Sequence, residues 1–349
     1  MWQVKHRLTA TAARVGVGPV LVLVLTLGVA KNAFAAWFTA EEAIMGTAIK
    51  VELWDENEIH ANQAIRAVMR EMHRINDQYS PYRAESELSQ VNRLAASEEV
   101  KISPELFELL QRSLEFSRLS DGAFDITFAS VGYMYDYRKN VAPNEREITN
   151  ALPAINFRNI VLDAAARTVR FTRPGVRIDL GGIAKGHAVD RGVDILRRYN
   201  IQQGLVSAGG DSRILGDRQG RPWMTGIRDP RQPSGSAVVL PLSNTAISTS
   251  GDYERYFIRD GVRIHHILSP KTGKPAHVSR SVTILGPDAT TTDALSTTVF
   301  VLGADKGLQL VERMDGIDAI VIDANGRLHY SSGLQPPETA KPSAAKPPP

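Results

Sequence analysis

The 349-residue sequence contains no cysteine. That excludes disulfides, a thiol nucleophile, Cys-ligated metal and a lipid-modified N-terminal Cys. Several familiar fingerprints are also missing. There is no H-E-x-x-H and no Ser elbow between glycines, which removes the usual zinc-protease and serine-hydrolase readings. Acidic residues are absent from positions 1–35, which hold Lys5, Arg7, Arg14 and Lys31. The pI near 9.0 therefore misleads. Removing those four cations takes the formal charge from +3 to −1, which leaves no overall electrostatic case for binding nucleic acid.

The same segment reads as an export signal. Lys5, Arg7 and Arg14 precede the uncharged apolar run from Val15 to Ala30, and Ala33-Phe34-Ala35 supplies a small-x-small cleavage site. The run is shorter than the ~20 residues of a full bilayer span. No Arg-Arg pair in the segment suggests a twin-arginine route. The expectation is an exported, periplasmic protein with a signal at 1–35, tethered to the inner membrane if the signal is kept. A folded domain then covers 36–335, and a disordered Pro/Ala/Lys tail covers 336–349.

Within the domain, Met45-Gly46-Thr47 leads into a strand at Ala48–Leu53. Ile65, Val68, Met69, Met72 and Ile75 recur at helical spacing across Ala61–Asn76, with both Met residues read as core. Ser80-Pro81-Tyr82-Arg83 ends that helix as a turn. Ser103-Pro104 opens a second helix that buries Leu106, Leu109, Leu110 and Leu114 and stops before Asp121-Gly122. Tyr133, Tyr135 and Tyr137 lie in a loop where they either cover a core edge, the favoured reading, or stack on a planar ligand. Short strands are expected at Ile160–Leu162 and Val169–Phe171.

Val176–Leu180 reads as an apolar strand entering a Gly181-Gly182 turn, followed by a helix with Val189, Val193 and Leu196 on one stripe. Such a turn can offer backbone N–H groups to an anion, with Lys185 adding charge and Asp179 accepting hydrogen bonds. It matches neither the Walker pattern nor G-x-G-x-x-G, and a plain strand-helix connection explains it equally well. Leu205–Asp211 forms a second strand ending in glycines. Further strands are expected at Val238–Leu242 and Ala246–Thr249. Tyr256–Ile258 and Arg263–Leu268 flank Asp260-Gly261, a hairpin signal. His265 and His266 should then face opposite sides, one inward and one outward. Helices are expected at Thr292–Phe300 and Leu308–Met314, then a strand at Ala319–Ile322 and a hairpin turn at Asn325-Gly326. Helices and strands mix without a steady alternation, so the fold class is α+β.

Asp293 and Thr297 stand at i and i+4, so they share a helix face. A carboxylate and a hydroxyl without His or Cys suit a hard cation such as Mg²⁺. Taken alone, the pair reads at least as well as structural, with Asp293 in the first helical turn and Thr297 packed inward.

Taken together the motifs resemble the FAD:protein FMN transferases, the ApbE-type flavin transferases. The resemblance runs in order over roughly residues 40–333. It comprises Met45-Gly46-Thr47, Ser80-Pro81-Tyr82-Arg83, Gly122-Ala123-Phe124-Asp125, and Asp179 through Gly186. It continues through Ala208-Gly209-Gly210-Asp211, Thr249-Ser250-Gly251-Asp252-Tyr253, His266 through Gly273, and Asp293 through Thr297. It departs at Ile126, Ser207 and Ser269, where the family commonly has Pro, Asn and Asp.

The resemblance implies two intertwined α+β subdomains with the active site in the cleft between them. It also implies an exported, Mg²⁺-dependent enzyme that moves FMN from FAD to a Thr or Ser hydroxyl of another protein and releases AMP. By the same resemblance Met45, Tyr82, Ala123, Phe124, Asp125, Asp179, Lys185 and Ile267 would contact FAD. Gly182 through its carbonyl, Asp293 and Thr297 would hold Mg²⁺. The partner would be an acceptor flavoprotein of a membrane or periplasmic electron-transfer system. His266 is the candidate general base. Hydrolysis of FAD to FMN and AMP, or an exported flavin-binding protein without catalysis, are the alternatives.

Overall fold

The computed structural model describes residues 35–232 and 235–334. The expected signal, apart from Ala35, and the expected tail lie outside the described residues. Among those described, no helix is long and apolar enough to cross a membrane.

One eight-stranded sheet organises the chain. Its strands are β1 (Ala36–Ile44), β2 (Thr47–Asp55), β3 (Gly204–Ala208), β4 (Asp211–Leu215), β5 (Ala246–Gly251), β6 (Ser279–Gly286), β7 (Asp318–Asp323) and β8 (Leu328–Tyr330). They lie side by side in chain order and every pairing is antiparallel. Met45 and Gly46 make the first hairpin turn with φ of 55° and 72°, the doubly positive geometry that matches strand twist.

The helices enter as insertions between neighbouring strands. Between β2 and β3 come α1 (Glu58–Tyr79), α2 (Glu87–Leu94), α3 (Pro104–Leu119) and α4 (Ala184–Arg198). Between β6 and β7 come α5 (Ala289–Leu302) and α6 (Ala304–Val311). A three-stranded sheet of Val100–Lys101, Thr168–Phe171 and Ile160–Asp163 accompanies α2 and α3 in the first insertion. This second α+β part beside the main sheet agrees with the expected class.

α1 starts where Asn57 Oδ1 accepts the N–H groups of Ile59 and His60, and it buries Ile65, Val68, Met69, Met72 and Ile75. Both methionines are core. Ser103 caps α3 through the Leu106 N–H, with Pro104 at its first position. The main core joins the sheet to α1, α4 and α5 through residues such as Val51, Val68, Met72, Val189, Val193 and Phe300.

Four expected elements differ in the structure, and the strands at Ala36–Ile44, Trp223–Arg228 and Ser279–Gly286 were not expected at all. Val176–Leu180 is not a strand. Its apolar side chains are buried, but its backbone joins no strand ladder: Asn92 takes both the N–H and the C=O of Ile178, Ser130 Oγ accepts the Arg177 N–H, and the Asp179 N–H donates to the Ile126 carbonyl. The strand after Asp260-Gly261 stops at His265, because pairing closes at Tyr256–His265. Helix α5 begins at Ala289 with Asp288 as its cap, so Asp293 is past the first turn. Helix α6 runs over Ala304–Val311, earlier than the expected Leu308–Met314. Helix α2 had no clear sequence signal and is held by Ser86 capping Ser89.

Candidate active site

Helices α4 and α5 cap one another. Asp190 on α4 accepts the N–H groups of Ala289 and Thr290, each at 2.8 Å, at the start of α5. In return Asp293 Oδ2 on α5 accepts the Gly186 N–H at 3.0 Å, near the start of α4. α4 has no side-chain cap of its own, so Asp293 supplies the negative charge its N-terminus favours. The approach requires Gly186, since a Cβ there would fall 2.1 Å from the Ala289 carbonyl oxygen.

This arrangement revises the anion-cradle reading of the Gly-rich turn. The Gly181 N–H goes to Asp179 Oδ1 at 2.6 Å, those of Ile183 and Ala184 go to Leu180 O, and that of Gly186 goes to Asp293. These four N–H groups are taken by the protein's own acceptors, and at Gly186 an aspartate stands where the sequence reading set an anion.

Around Asp293, which is only 2% exposed, the structure gathers several groups named from sequence. Lys185 Nζ bonds to Asp211 Oδ2 and lies 3.2 Å from Asp293 Oδ1. Thr297, one turn along α5, is 3.3 Å from Ser250 Oγ. Gly182 lies against it: a Cβ on Gly182 would be 3.3 Å from both Thr297 Oγ1 and the Phe124 ring. Burial and the neighbouring Asp211 carboxylate push the Asp293 carboxyl above its ordinary range. Burial alone would lower the Lys185 ammonium, but Asp211 and Asp293 together hold it well above its usual value.

The donors fit a hard cation in kind: a carboxylate, a hydroxyl on the same helix face and the backbone beside them, all oxygen. Among the described residues no cluster of three or more His, Cys, Asp or Glu side chains forms a metal site. Backbone, water or substrate oxygens must therefore complete any shell.

The remaining candidates fall into two groups. Ala123, Phe124 and Asp125 are buried. Asp125 Oδ1 accepts the N–H and hydroxyl of Thr127, and Oδ2 accepts the Phe157 N–H at 2.7 Å. Its carboxylate shapes the turn after α3. Phe124 meets Phe116 edge-on at 6.0 Å and also backs Gly182. Ile267 is buried, and its carbonyl accepts the Ala276 N–H. Met45 is half-buried in its turn. Tyr82 is 87% exposed in the turn after α1, free to present a ring face. Of the loop tyrosines, Tyr135 and Tyr137 stack on each other at 5.9 Å and join a small core with Val131, Ile148 and Leu268. Tyr133 is exposed beneath Arg177.

The expectation of one inward and one outward histidine needs correcting. His265 faces inward, 1% exposed, edge-on to His277 and Phe300. His266 lies beyond the strand and is half-buried, its N–H donating to the Arg255 carbonyl at 3.1 Å. The chain turns in after His265, so strand alternation no longer applies. Burial, then the Arg255 charge, pushes His266 down to about 3, and burial with His277 pushes His265 down to about 4. Both rings are neutral at physiological pH.

Three further residues were missed as individuals. Asp211 and Ser250 stood inside quoted motifs without a role, and only strand order brings them to α5. Arg255 carried no signal. A Cβ on Gly46 would lie 3.3 Å from its guanidinium, and its charge is felt at Asp179 and His266. Burial raises the Asp179 carboxyl, with the Gly181 N–H and Arg255 opposing.

The sequence model of the ApbE family matches residues 45–321. A FAD:protein FMN transferase of Treponema pallidum is 33% identical over 85% of this chain and 87% of its own length. One from Haemophilus influenzae is 32% identical, covering 82% and 87%. Among solved structures, the ApbE protein of Thermotoga maritima superimposes with a TM-score of 0.79 at 34% identity, covering 85% of this chain and 98% of that one. The flavin transferase ApbE of Vibrio cholerae gives 0.77 at 28% identity, with the same coverage. With motifs, fold and site geometry in agreement, the chain belongs to the ApbE family.

Proposed function

We propose that this protein is a FAD:protein FMN transferase that carries FMN from FAD to a Thr or Ser hydroxyl of an acceptor protein and releases AMP. The observation that carries this reading is the joining of Gly182, Lys185, Asp293 and Thr297 at the α4–α5 contact, in a chain whose relatives bear that activity as their name.

In the proposed reaction the acceptor oxygen attacks the phosphorus on the FMN side of the FAD diphosphate. The new P–O bond forms as the bridging P–O bond breaks, and AMP leaves with that electron pair. Such a transfer needs in-line positioning and charge neutralisation more than a protein nucleophile. Asp293, Thr297 and the Gly182 carbonyl would hold Mg²⁺, which when bound neutralises charge on the diphosphate oxygens. Lys185 adds an ammonium beside them. Tyr82 offers an exposed ring on which the flavin or adenine can stack, and Met45, Asp179 and Ile267 would contact FAD. At Ala123-Phe124-Asp125 the Ala123 and Phe124 N–H groups are bound to Ser120 and the Asp125 carboxylate is used internally, so this segment would act on FAD by shaping the pocket wall. His266 is the candidate general base for the hydroxyl proton. Burial and the Arg255 charge lower its basicity in the free protein, and the negative charge of the incoming diphosphate would raise it.

The basic and apolar segment ending at Ala35 supports export, and with it an acceptor in a membrane or periplasmic electron-transfer system. The N-terminal mass of the protein recovered from the periplasm should begin at Ala36. The activity is tested by following AMP release from FAD and Mg²⁺ with and without acceptor. The transferase reading expects release to depend on acceptor and to stop with a chelator. Free FMN and AMP formed equally fast without acceptor would make the protein a hydrolase.

A further inference from the structure

Lys185 and Asp211 stand in an unusual relation to the proposed metal ligands. Asp211 and Asp293 are 1% and 2% exposed, so water screens their charges little and each depends on a nearby cation or hydrogen bond. The Lys185 ammonium serves both: it bonds Asp211 Oδ2 and lies 3.2 Å from Asp293 Oδ1. The other Asp293 oxygen is committed to the Gly186 N–H at 3.0 Å. Oδ1 is therefore the oxygen that a second cation must share with Lys185. Asp211 opens β4, whose register with β5 pairs it with Ser248, and its backbone position does not depend on the α4–α5 contact. It can keep hold of the ammonium when Asp293 does not.

We propose that Lys185 is the internal counter-ion that a divalent cation displaces from Asp293, and that Asp211 is the positioning residue that retains it beside the site. The inference rests on Asp293 being a metal ligand, as proposed above. It gives Lys185 two sequential partners. Before metal binding its charge is shared by two carboxylates. Afterwards it is held by one and turned toward the incoming diphosphate, so metal binding prepares the lysine for FAD.

The test is calorimetric titration of Mg²⁺ alone, without FAD, into the full chain. Lys185→Met is expected to bind Mg²⁺ about tenfold more tightly and Lys185→Arg close to wild type. Lys185→Gln repeats the neutral substitution should the Met variant fold poorly. Asp211→Asn, which leaves the ammonium to Asp293 alone, is expected to weaken binding by about tenfold. In the Lys185→Met background the Asp211→Asn effect should shrink, because Asp211 acts through the lysine. Unchanged or weaker Mg²⁺ binding in both neutral variants overturns the proposal. So does an Asp211→Asn effect of equal size in the two backgrounds. Asp293→Asn separates the two levels: wild-type binding there refutes the metal site itself, whereas lost binding there with unmoved Lys185 variants refutes only the counter-ion.

Discussion

Asp293 closes the N-terminus of α4 with one oxygen and meets Lys185 with the other. Its two obvious substitutions should therefore behave differently. Asp293→Ala leaves the buried Gly186 N–H without an acceptor, a loss of about 1–3 kcal/mol. Asp293→Asn keeps an oxygen for that N–H and should melt closer to wild type, yet lose metal-dependent turnover by about a hundredfold or more. Thermal melts beside Mg²⁺-dependent rates check both. His265 makes a separate pH prediction. Burial lowers its folded value to about 4, from an unfolded value of about 6.5. The unfolded chain thus binds the extra proton between these values, and stability is present above about 6.5 and is lost as pH falls toward 4. At pH 5 the loss from this one group is about 2 kcal/mol. Denaturant unfolding at pH 7 and 5 should show a smaller loss in His265→Phe, whose ring can occupy the same aromatic contacts with His277 and Phe300.

At the scale of elements, the sequence revealed most of what periodicity encodes and little of what depends on distant partners. Helix α1 was legible because five apolar residues repeat at helical spacing, and α3 because Ser103-Pro104 marks its start. Val176–Leu180 has the apolar pattern of a strand, but the backbone groups of Arg177 and Ile178 are held by side chains of Ser130 and Asn92, far away in the chain. No local pattern could show that. The Asp293–Thr297 pair was visible at i and i+4, whereas Asp211 and Ser250 reach it only through the packing of α5 on β4 and β5. The α4–α5 contact carries its own prediction. Gly186→Ala places a methyl group inside the Ala289 carbonyl, so the helices must separate at a cost of about 3 kcal/mol. The measured melt should fall and Mg²⁺ dependence should weaken with it. The segment between β5 and the Tyr256 hairpin carries another. Arg255 is exposed and has no ion-pair partner among the described residues. Arg255→Ala should leave the melting temperature unchanged but raise the KM for FAD by about tenfold, through loss of a charge that faces the diphosphate. An unchanged KM would remove it from the site.

Over the whole molecule, one antiparallel sheet laid down in chain order supports everything else. The insertion between β2 and β3 brings the Gly-rich turn and α4, the one between β5 and β6 brings His266, and the one between β6 and β7 brings α5. The site thus depends on three separate excursions returning to one sheet, which explains why its motifs are spread along the sequence. The central claim is that these groups attach FMN covalently to another protein, and mass spectrometry of an acceptor co-expressed with this chain tests it most directly. The account predicts a Thr- or Ser-linked FMN on the acceptor that is absent when Asp293→Asn replaces the wild type. An acceptor that stays unmodified with the active chain, or is modified equally by Asp293→Asn, would contradict it.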